Sequence, residues 1–403
     1  MVDTDYYSIF GGQYRLLMIA VDPDPNDPKG LRILQLTAPA EFGGLETVVS
    51  QLSVGLIRRG HTICVGCVLD ESADPAIHPL VQELEMSGVP VEVIQVPSRA
   101  YRQEGAAVRA LIRWFDASVV HTHGYHCDVI GGRSAVDTDV PRVASVHGFT
   151  GGGWKNRVYE LLQRRSYRSA AAVIAVSRPL AALLSADRSV ASRVHVIPNA
   201  GIRQADWPAR DAARIELGIE GDGFAIGWLG RMSLEKGPDV VVEAMADPRA
   251  VDFRLCMIGE GPLRPALERA SAISVGAEIS WLGGVPKVGR LLKAFDVVVL
   301  SSRTEGTPMV LLEAMDAGVP LVATRVGGVP DIVGPEEALL VEPDDPQALL
   351  SAILDVSINR EAAKRRADNA TKRLESQCDP DAWLAAHENV YRSVVRVSPS
   401  ERH

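Results

Sequence analysis

Phe224-Ala225-Ile226-Gly227-Trp228-Leu229 runs directly into Gly230-Arg231-Met232-Ser233-Leu234-Glu235-Lys236-Gly237-Pro238. A short apolar run closed by glycines reads as a strand entering a tight loop. Pro238 suits the first turn of a helix, where its missing N–H costs nothing, and the apolar pattern carries that helix to Met245. Strand, loop and helix in this order form the repeating unit of a parallel, doubly wound sheet, which binds ligands outside the carboxyl ends of its strands. Arg231 and Lys236 sit in such a loop. A guanidinium fork, an ammonium and a helix start together make a diphosphate site. Taken alone, a solvated basic turn explains the same residues.

The unit recurs in both directions. Downstream, 252–258, 278–282, 297–300, 321–324 and 338–341 read as further strands. Upstream, 31–36, 62–69, 91–96, 119–121, 142–146, 172–176 and 194–197 alternate with helical patterns at 45–59, 105–115 and near 155–168. The polar stretch 202–223 is expected to carry the domain linker. The expected architecture is α/β, with two Rossmann-like doubly wound domains facing across a cleft. Residues 1–30 form an N-terminal extension, 31–203 the first domain and 204–380 the second, while a last helix in 381–403 is expected to pack back on the first. Within the extension, 14–21 has the pattern of an extra strand.

A second loop follows the run 297–300: Ser301-Ser302-Arg303-Thr304-Glu305-Gly306-Thr307-Pro308, then Met309 to Gly318. Thr307 reads as a helix N-cap, Pro308 as the first helical residue and Gly318 as the stop. Glu305 precedes the helix and Glu313 lies inside it, about 7.5 Å along the helix from Pro308. Carboxylates accept hydrogen bonds from vicinal hydroxyls, so one can reach a sugar and the other a ribose. An isolated pair of glutamates is more ordinarily a pair of exposed helix carboxylates.

Composition narrows the function. The 403 residues are 46% hydrophobic and 23% charged, as in a well-buried globular protein. A net charge of -9 supplies no basic excess for nucleic acid, which is not expected as a partner. The five cysteines are Cys64, Cys67, Cys127, Cys256 and Cys378. Only the first two have metal-like spacing, and three residues apart on a strand they face opposite ways. An odd, scattered set fits a reducing cytoplasm. No run approaches the roughly 18 apolar residues of a membrane span, and 16–21 lacks the core and cleavage site of a signal peptide.

At this point the residues resemble a known family, the GT-B glycosyltransferases of family 4 (glycosyl transferases group 1), which are retaining enzymes. Its signature is a Glu, seven residues and a Glu, here Glu305 and Glu313. Glu41-Phe42-Gly43-Gly44-Leu45-Glu46, His121-Thr122-His123-Gly124, Ser145-Val146-His147-Gly148 and Val196-Ile197-Pro198-Asn199 resemble its first-domain loops. Gly259-Glu260-Gly261-Pro262-Leu263-Arg264 and Gly327-Gly328-Val329-Pro330 resemble loops of its second. The resemblance runs from Leu31 to Tyr391. Ala200 and Ala338 stand where glycine is usual, and Ser301 where proline is usual.

The resemblance implies roles. Arg231 and Lys236 bind the diphosphate of a UDP- or GDP-linked hexose, with backbone amides of Gly306 and Thr307. Glu313 holds the ribose, Glu305 the hexose, and Gly43 and Gly44 approach the phosphates from the other domain. His147 lies near the transferred sugar, whereas packing or loop hydrogen bonds are the ordinary account of His121 and His123. The implied reaction is a front-face transfer to an acceptor hydroxyl without metal or cofactor, in glycan, glycolipid or exopolysaccharide synthesis. Asp22-Pro23-Asp24, Asp137-Thr138-Asp139 and Asp379-Pro380-Asp381 match Asp-X-Asp but read as breaker-rich loops or a helix start. The basic helix 154–168 is the expected point of contact with anionic lipid at the inner face of a membrane, although a solvated basic face explains it as simply. A nucleotide-sugar epimerase or hydrolase and a non-catalytic scaffold are the rival readings. The acceptor, whether a sugar, a lipid-linked group or a small molecule, and the oligomeric state are not readable from one sequence.

Overall fold

A computed structural model describes residues 30–40, 43–149, 154–200, 206–273, 275–377 and 379–395. The proposed strand at 14–21, the Asp22 motif, Cys378, the glycines 151–153 and the tail beyond Val395 lie outside the described residues.

The first sheet comprises β1 (Arg32–Thr37), β2 (Thr62–Asp70), β3 (Val91–Val96), β4 (Val119–His123), β5 (Arg142–Val146), β6 (Ala172–Ala175) and β7 (Val194–Val196), in the order β3-β2-β1-β4-β5-β6-β7. The second comprises β8 (Phe224–Leu229), β9 (Phe253–Ile258), β10 (Glu278–Gly283), β11 (Val297–Leu300), β12 (Leu321–Thr324) and β13 (Leu339–Val341), in the order β10-β9-β8-β11-β12-β13. All pairings are parallel. Parallel sheets are covered on both faces, which is why their strands read as unbroken apolar runs; Val297 to Leu300 are all buried. Cys64 and Cys67 confirm the geometry. Cys64 packs with Leu34 and Val108 on one face, Cys67 with Ile33 and Val49 on the other. Burial pushes the Cys67 thiol up to about 12.

Strand order reverses between β1 and β4, and between β8 and β11. Such switch points open a crevice at the strand ends because the flanking loops diverge. The loops after these four strands carry Gly43-Gly44, Gly124, Arg231 to Lys236 and Glu305.

The stretch 202–223, expected to carry the linker, also contains a helix, Arg210–Glu216. Its Arg214 is buried and ties the second domain together, bonding Asp296 (3.0 Å) and the carbonyls of Ala294, Gly221 and Gly223. The helix expected at 105–115 starts earlier, at Tyr101.

The last helix, Pro380–Val395, packs on the first domain. Leu384 fills the space that a side chain at Gly55 would need, Arg59 bonds Glu388 at 3.1 Å, and the Tyr391 hydroxyl meets His121 Nδ1 at 2.8 Å. Trp383, Leu384, Val390 and Tyr391 are buried there, and each such side chain contributes roughly 1.5–3 kcal/mol.

Candidate active site

The two loops of the second domain are locked to each other. After Gly230, a short 3-10 turn spans Leu234–Lys236 and Gly237 adopts φ 60° before the helix Pro238–Met245. A Cβ at Gly237 would lie 2.1 Å from the Ser301 carbonyl oxygen, so both conformation and space require glycine. Ser301 accepts from the Trp228 indole at 2.9 Å and donates to the Gly237 carbonyl at 2.6 Å, which gives the serine a bridging role that a proline could not fill. The Arg303 amide donates to the Glu235 carbonyl at 2.8 Å. Its guanidinium grips both Asp239 oxygens, at 2.9 and 2.7 Å, and also Asp344.

Within this frame Lys236 Nζ sits 2.8 Å from each Glu305 carboxylate oxygen. The Ser302 hydroxyl adds a third donor to Glu305 at 2.6 Å. Glu305 is buried, while the Lys236 side chain remains 31% exposed. Arg231 is exposed. Its charge acts across the cleft on Glu46 of the first domain, whose carboxyl is raised by burial and lowered by the Ala40 amide at 2.8 Å and by Arg231.

Glu313 differs from Glu305. Its carboxylate lies against Gly289, where a Cβ would stand 3.0 Å from Glu313 Cδ. Burial pushes it up to about 7. Among the described residues no hydrogen bond or ion pair reaches it.

Thr307 is not the N-cap. The helix is Met309–Ala317, preceded by Pro308, with no side-chain cap. The Thr307 hydroxyl instead donates to the Val176 carbonyl of the first domain. Tertiary contact wins over local capping because the loop is pressed against the other domain. Asn199 Nδ2 donates to the Thr307 carbonyl at 3.4 Å, and the Arg178 amide to Asp331 at 2.9 Å. A Cβ at Gly306 would lie 2.1 Å from the His147 carbonyl oxygen, and one at Gly44 would lie 3.0 Å from Met309 Cγ. A Cβ at Gly43 would crowd the Glu46 carboxylate. The glycines thus set how closely the domains approach. The Gly306 and Thr307 amides have no hydrogen-bond partner among the described residues.

The His147 carbonyl abuts Gly306, and two further histidines, His123 and His121, lie behind its ring. His147 is half-buried, and burial holds its imidazole down to about 4. Its Nε2 meets His123 Nδ1 at 3.2 Å, and His123 Nε2 meets Gln35 Oε1 at 3.0 Å. His121 bonds Ser145 at 2.8 Å and, through Tyr391, the last helix. His121 therefore has the packing role expected of it, whereas His123 is joined to the site. Gln35, Ser302, Glu46 and Gly289 were not singled out from sequence. For the first three the available signal was position alone, on or after the strands flanking a switch point, whereas Gly289 follows the edge strand β10 and carried no such signal.

The Asp-X-Asp matches are engaged elsewhere: Asp137 pairs with Arg109 at 3.3 Å and Asp379 bonds the Asp381 amide at 3.0 Å. Among the described residues no three His, Cys, Asp or Glu side chains are grouped as a metal site.

Comparison with known proteins identifies the family and the fold. Residues 43–200 match the Glycosyl transferase 4-like domain, and residues 209–373 match Glycosyl transferases group 1. A D-inositol 3-phosphate glycosyltransferase of Xylanimonas cellulosilytica is 28% identical over 430 aligned positions, covering 96% of this chain and 98% of the relative. Among solved structures, Anabaena HepE in complex with UDP-glucose superposes with a TM-score of 0.75 at 21% identity, over 91% of this chain and 99% of that one. Sucrose-phosphate synthase from Thermosynechococcus elongatus gives a TM-score of 0.76 at 21% identity, over 91% and 99%. These two show the fold, GT-B. With both domains matched in order across most of its length, the chain belongs to the glycosyl transferases group 1, the GT4-type glycosyltransferases.

Proposed function

We propose that this glycosyltransferase moves a hexose from a nucleoside-diphosphate sugar to an acceptor hydroxyl with retention of anomeric configuration and without a metal or cofactor. The carrying observation is the group at the switch point of the second domain: a lysine on a buried carboxylate, beside two unpaired amides at a helix start. Unpaired N–H groups and a cation are what a diphosphate needs, and burial makes them costly to leave empty. The UDP-glucose bound to HepE supports UDP as the first base to test.

Arg231 and Lys236 would stabilise charge developing on the leaving diphosphate, which is electrostatic catalysis by preplaced groups. Glu305 accepts from hexose hydroxyls and Glu313 from the ribose. As the donor bond loosens, an oxocarbenium-like centre forms. The departing phosphate oxygen takes the acceptor hydroxyl's proton from the same face, so no enzyme nucleophile is required, unlike in the two-carboxylate glycosidases. Closure of the domains limits capture of that centre by water. Incubation with UDP-, GDP- and ADP-hexoses in EDTA tests the reading. Transfer that requires added manganese, an inverted product, or no transfer from any of the three would refute it. Free sugar formed without regard to acceptor would favour the hydrolase.

The Glu313 carboxyl gives this reading a pH signature. A carboxyl that titrates near 7 must lose its proton to accept two ribose hydroxyl bonds. UDP affinity should therefore fall as pH drops below about 7, approaching tenfold per unit, and level off above it. Calorimetry in buffers of different ionisation enthalpy should detect the released proton, and Glu313→Gln should flatten the curve. A flat wild-type profile would remove Glu313 from the ribose.

The acceptor side supports a membrane-associated substrate. Residues 154–193 hold eight Lys or Arg against two Asp or Glu in a chain of net charge -9. On the helix Trp154–Ser166, Val158, Leu161 and Leu162 are exposed beside Arg157 and Arg165. A cavity of about 320 Å³ between it and the helix Arg178–Ser185 is lined by Leu161, Leu183, Leu184, Arg164, Arg165 and Arg168. Exposed leucines among arginines fit a bilayer interface carrying anionic headgroups. No helix of the described residues is long and apolar enough to span a membrane. The four described cysteines are buried free thiols, which supports action at a cytoplasmic face. Flotation with phosphatidylglycerol vesicles should exceed that with neutral vesicles several-fold and be lost in Leu161→Asp. Equal flotation with both lipids would make the face a solvated one.

A further inference from the structure

We propose that Gln35 and His123 are positioning residues that set the tautomer of His147, so that its neutral imidazole presents Nδ1 to the donor sugar as a hydrogen-bond acceptor. The inference rests on the donor reading above for what His147 meets, and on geometry alone for the tautomer.

The direction of every bond in the relay is determined from its far end. Ser53 lies in the helix Gly44–Arg58, and its hydroxyl donates to the Val49 carbonyl at 2.7 Å. A hydroxyl has one proton, so toward Gln35 it can only accept, and Gln35 Nε2 donates to it at 2.7 Å. The Gln35 carbonyl is thereby turned to His123 Nε2, 3.0 Å away, and that nitrogen must carry the proton. A neutral ring has then no proton left on Nδ1. The 3.2 Å contact from His147 Nε2 to His123 Nδ1 closes only if His147 is protonated at Nε2. Its Nδ1 is left as a bare lone pair, and no described residue pairs with it. The His147 carbonyl abuts Gly306, next to Glu305, so the ring stands at the rim of the donor cleft.

The surroundings keep the relay neutral. Ser53 and Gln35 are fully buried and His123 almost so. The groups facing it are Ser145 and His121, whose ring is tilted against that of His123 with centroids 4.0 Å apart, and beyond them His387 and Tyr391 of the last helix. The charges acting on His123 and His147 are other histidines, and burial is the larger influence in both. A cation at this place would oppose the positive charge developing at the anomeric carbon, whereas a neutral acceptor can hold a sugar hydroxyl without that penalty. The role parallels the group that orients the base of a catalytic triad, where the wrong tautomer suppresses turnover.

Imidazole nitrogen NMR of the 15N-labelled full chain at pH 7 tests the tautomer directly and needs no turnover. The expected spectrum has His147 protonated at Nε2 and bare at Nδ1. Gln35→Leu, of similar size, removes the acceptor. It should mix or reverse the His147 tautomers and lower kcat/KM for the nucleotide sugar about tenfold or more, while UDP alone, which lacks the hexose, binds within about twofold of the wild type. Gln35→Glu keeps the acceptor and adds a charge. It should restore the tautomer and move the acid limb of the pH profile upward, because a carboxylate favours the imidazolium. A wild-type His147 protonated at Nδ1 overturns the proposal. So does a tautomer unchanged in Gln35→Leu, or UDP binding lost in step with activity, which would make Gln35 a packing residue. Should Gln35→Leu fail to fold, the wild-type spectrum and Gln35→Glu decide. Absence of transfer with every donor would count against the donor reading and leave the tautomer result standing.

Discussion

Lys236→Ala is expected to lower kcat/KM for the nucleotide sugar by about 10²–10³-fold, the usual loss when one preplaced charge on a developing anion is removed. The same change should also reduce stability, because Lys236 is the cation on Glu305. With it gone, a buried carboxylate keeps only the Ser302 hydroxyl at 2.6 Å. Leaving such a group under-satisfied costs about 1–3 kcal/mol, toward the lower end here because Lys236 is partly in water. The two effects separate in a second variant. Lys236→Ala combined with Glu305→Gln removes the orphaned charge and should regain most of the lost stability, yet restore no activity. Thermal denaturation and initial rates on the wild type and the two variants decide it. A well-folded Lys236→Ala enzyme with near-normal turnover would remove Lys236 from the leaving-group site. Equal losses of stability in the single and double variants would show that the pair contributes little to the fold.

Gly306→Ala is expected to lower kcat/KM about 100-fold, chiefly through the geometry of the cleft. The new Cβ would stand 2.1 Å from the His147 carbonyl oxygen and 3.0 Å from Val176 Cγ2. The first obstacle is backbone, so the loop must retreat from the first domain. A displacement of about 1 Å in reacting groups costs on the order of 10²-fold. Retreat would also loosen the Thr307 bond to Val176 and withdraw the two amides from the diphosphate. Gly44→Ala offers the contrast. Its Cβ meets side-chain rather than backbone atoms, Met309 Cγ at 3.0 Å and Cβ at 3.4 Å, a contact that a shift of a few tenths of an ångström relieves, so a smaller loss is expected there. Kinetics of the two alanine variants, with UDP affinity measured separately, test this. A Gly306→Ala enzyme as active as Gly44→Ala would show that close approach at Gly306 is unnecessary.

Much of the fold is legible in the sequence because its signals are local. Each strand is a short apolar run, and each informative loop follows one. Pro238 and Gly318 mark helix ends through their own backbone chemistry, and the helices Pro238–Met245 and Met309–Ala317 end where those residues predict. The charged groups after β8 and β11 are likewise readable, since Arg231, Lys236, Glu305 and Glu313 lie within a few residues of a strand end or helix start.

What the sequence withheld are the partners. Lys236 and Glu305 are 69 residues apart, Thr307 and Val176 are 131 apart, and His121 and Tyr391 are 270 apart. Such pairs depend on strand order and on how two domains meet, which no local pattern encodes. That is why Thr307 reads as a cap yet bonds across the cleft, and why the local pattern around Glu313 does not reveal the burial that pushes its carboxyl up to about 7. It is also why His123 reads as packing yet lies against His147. The sequence by itself determined the elements, the loops that follow them and the charges those loops carry, because backbone propensity acts over a few residues. Only the tertiary structure decided which charges pair, which carboxyl is desolvated and which histidine meets another, because burial and hydrogen bonding are properties of groups brought together from distant parts of the chain.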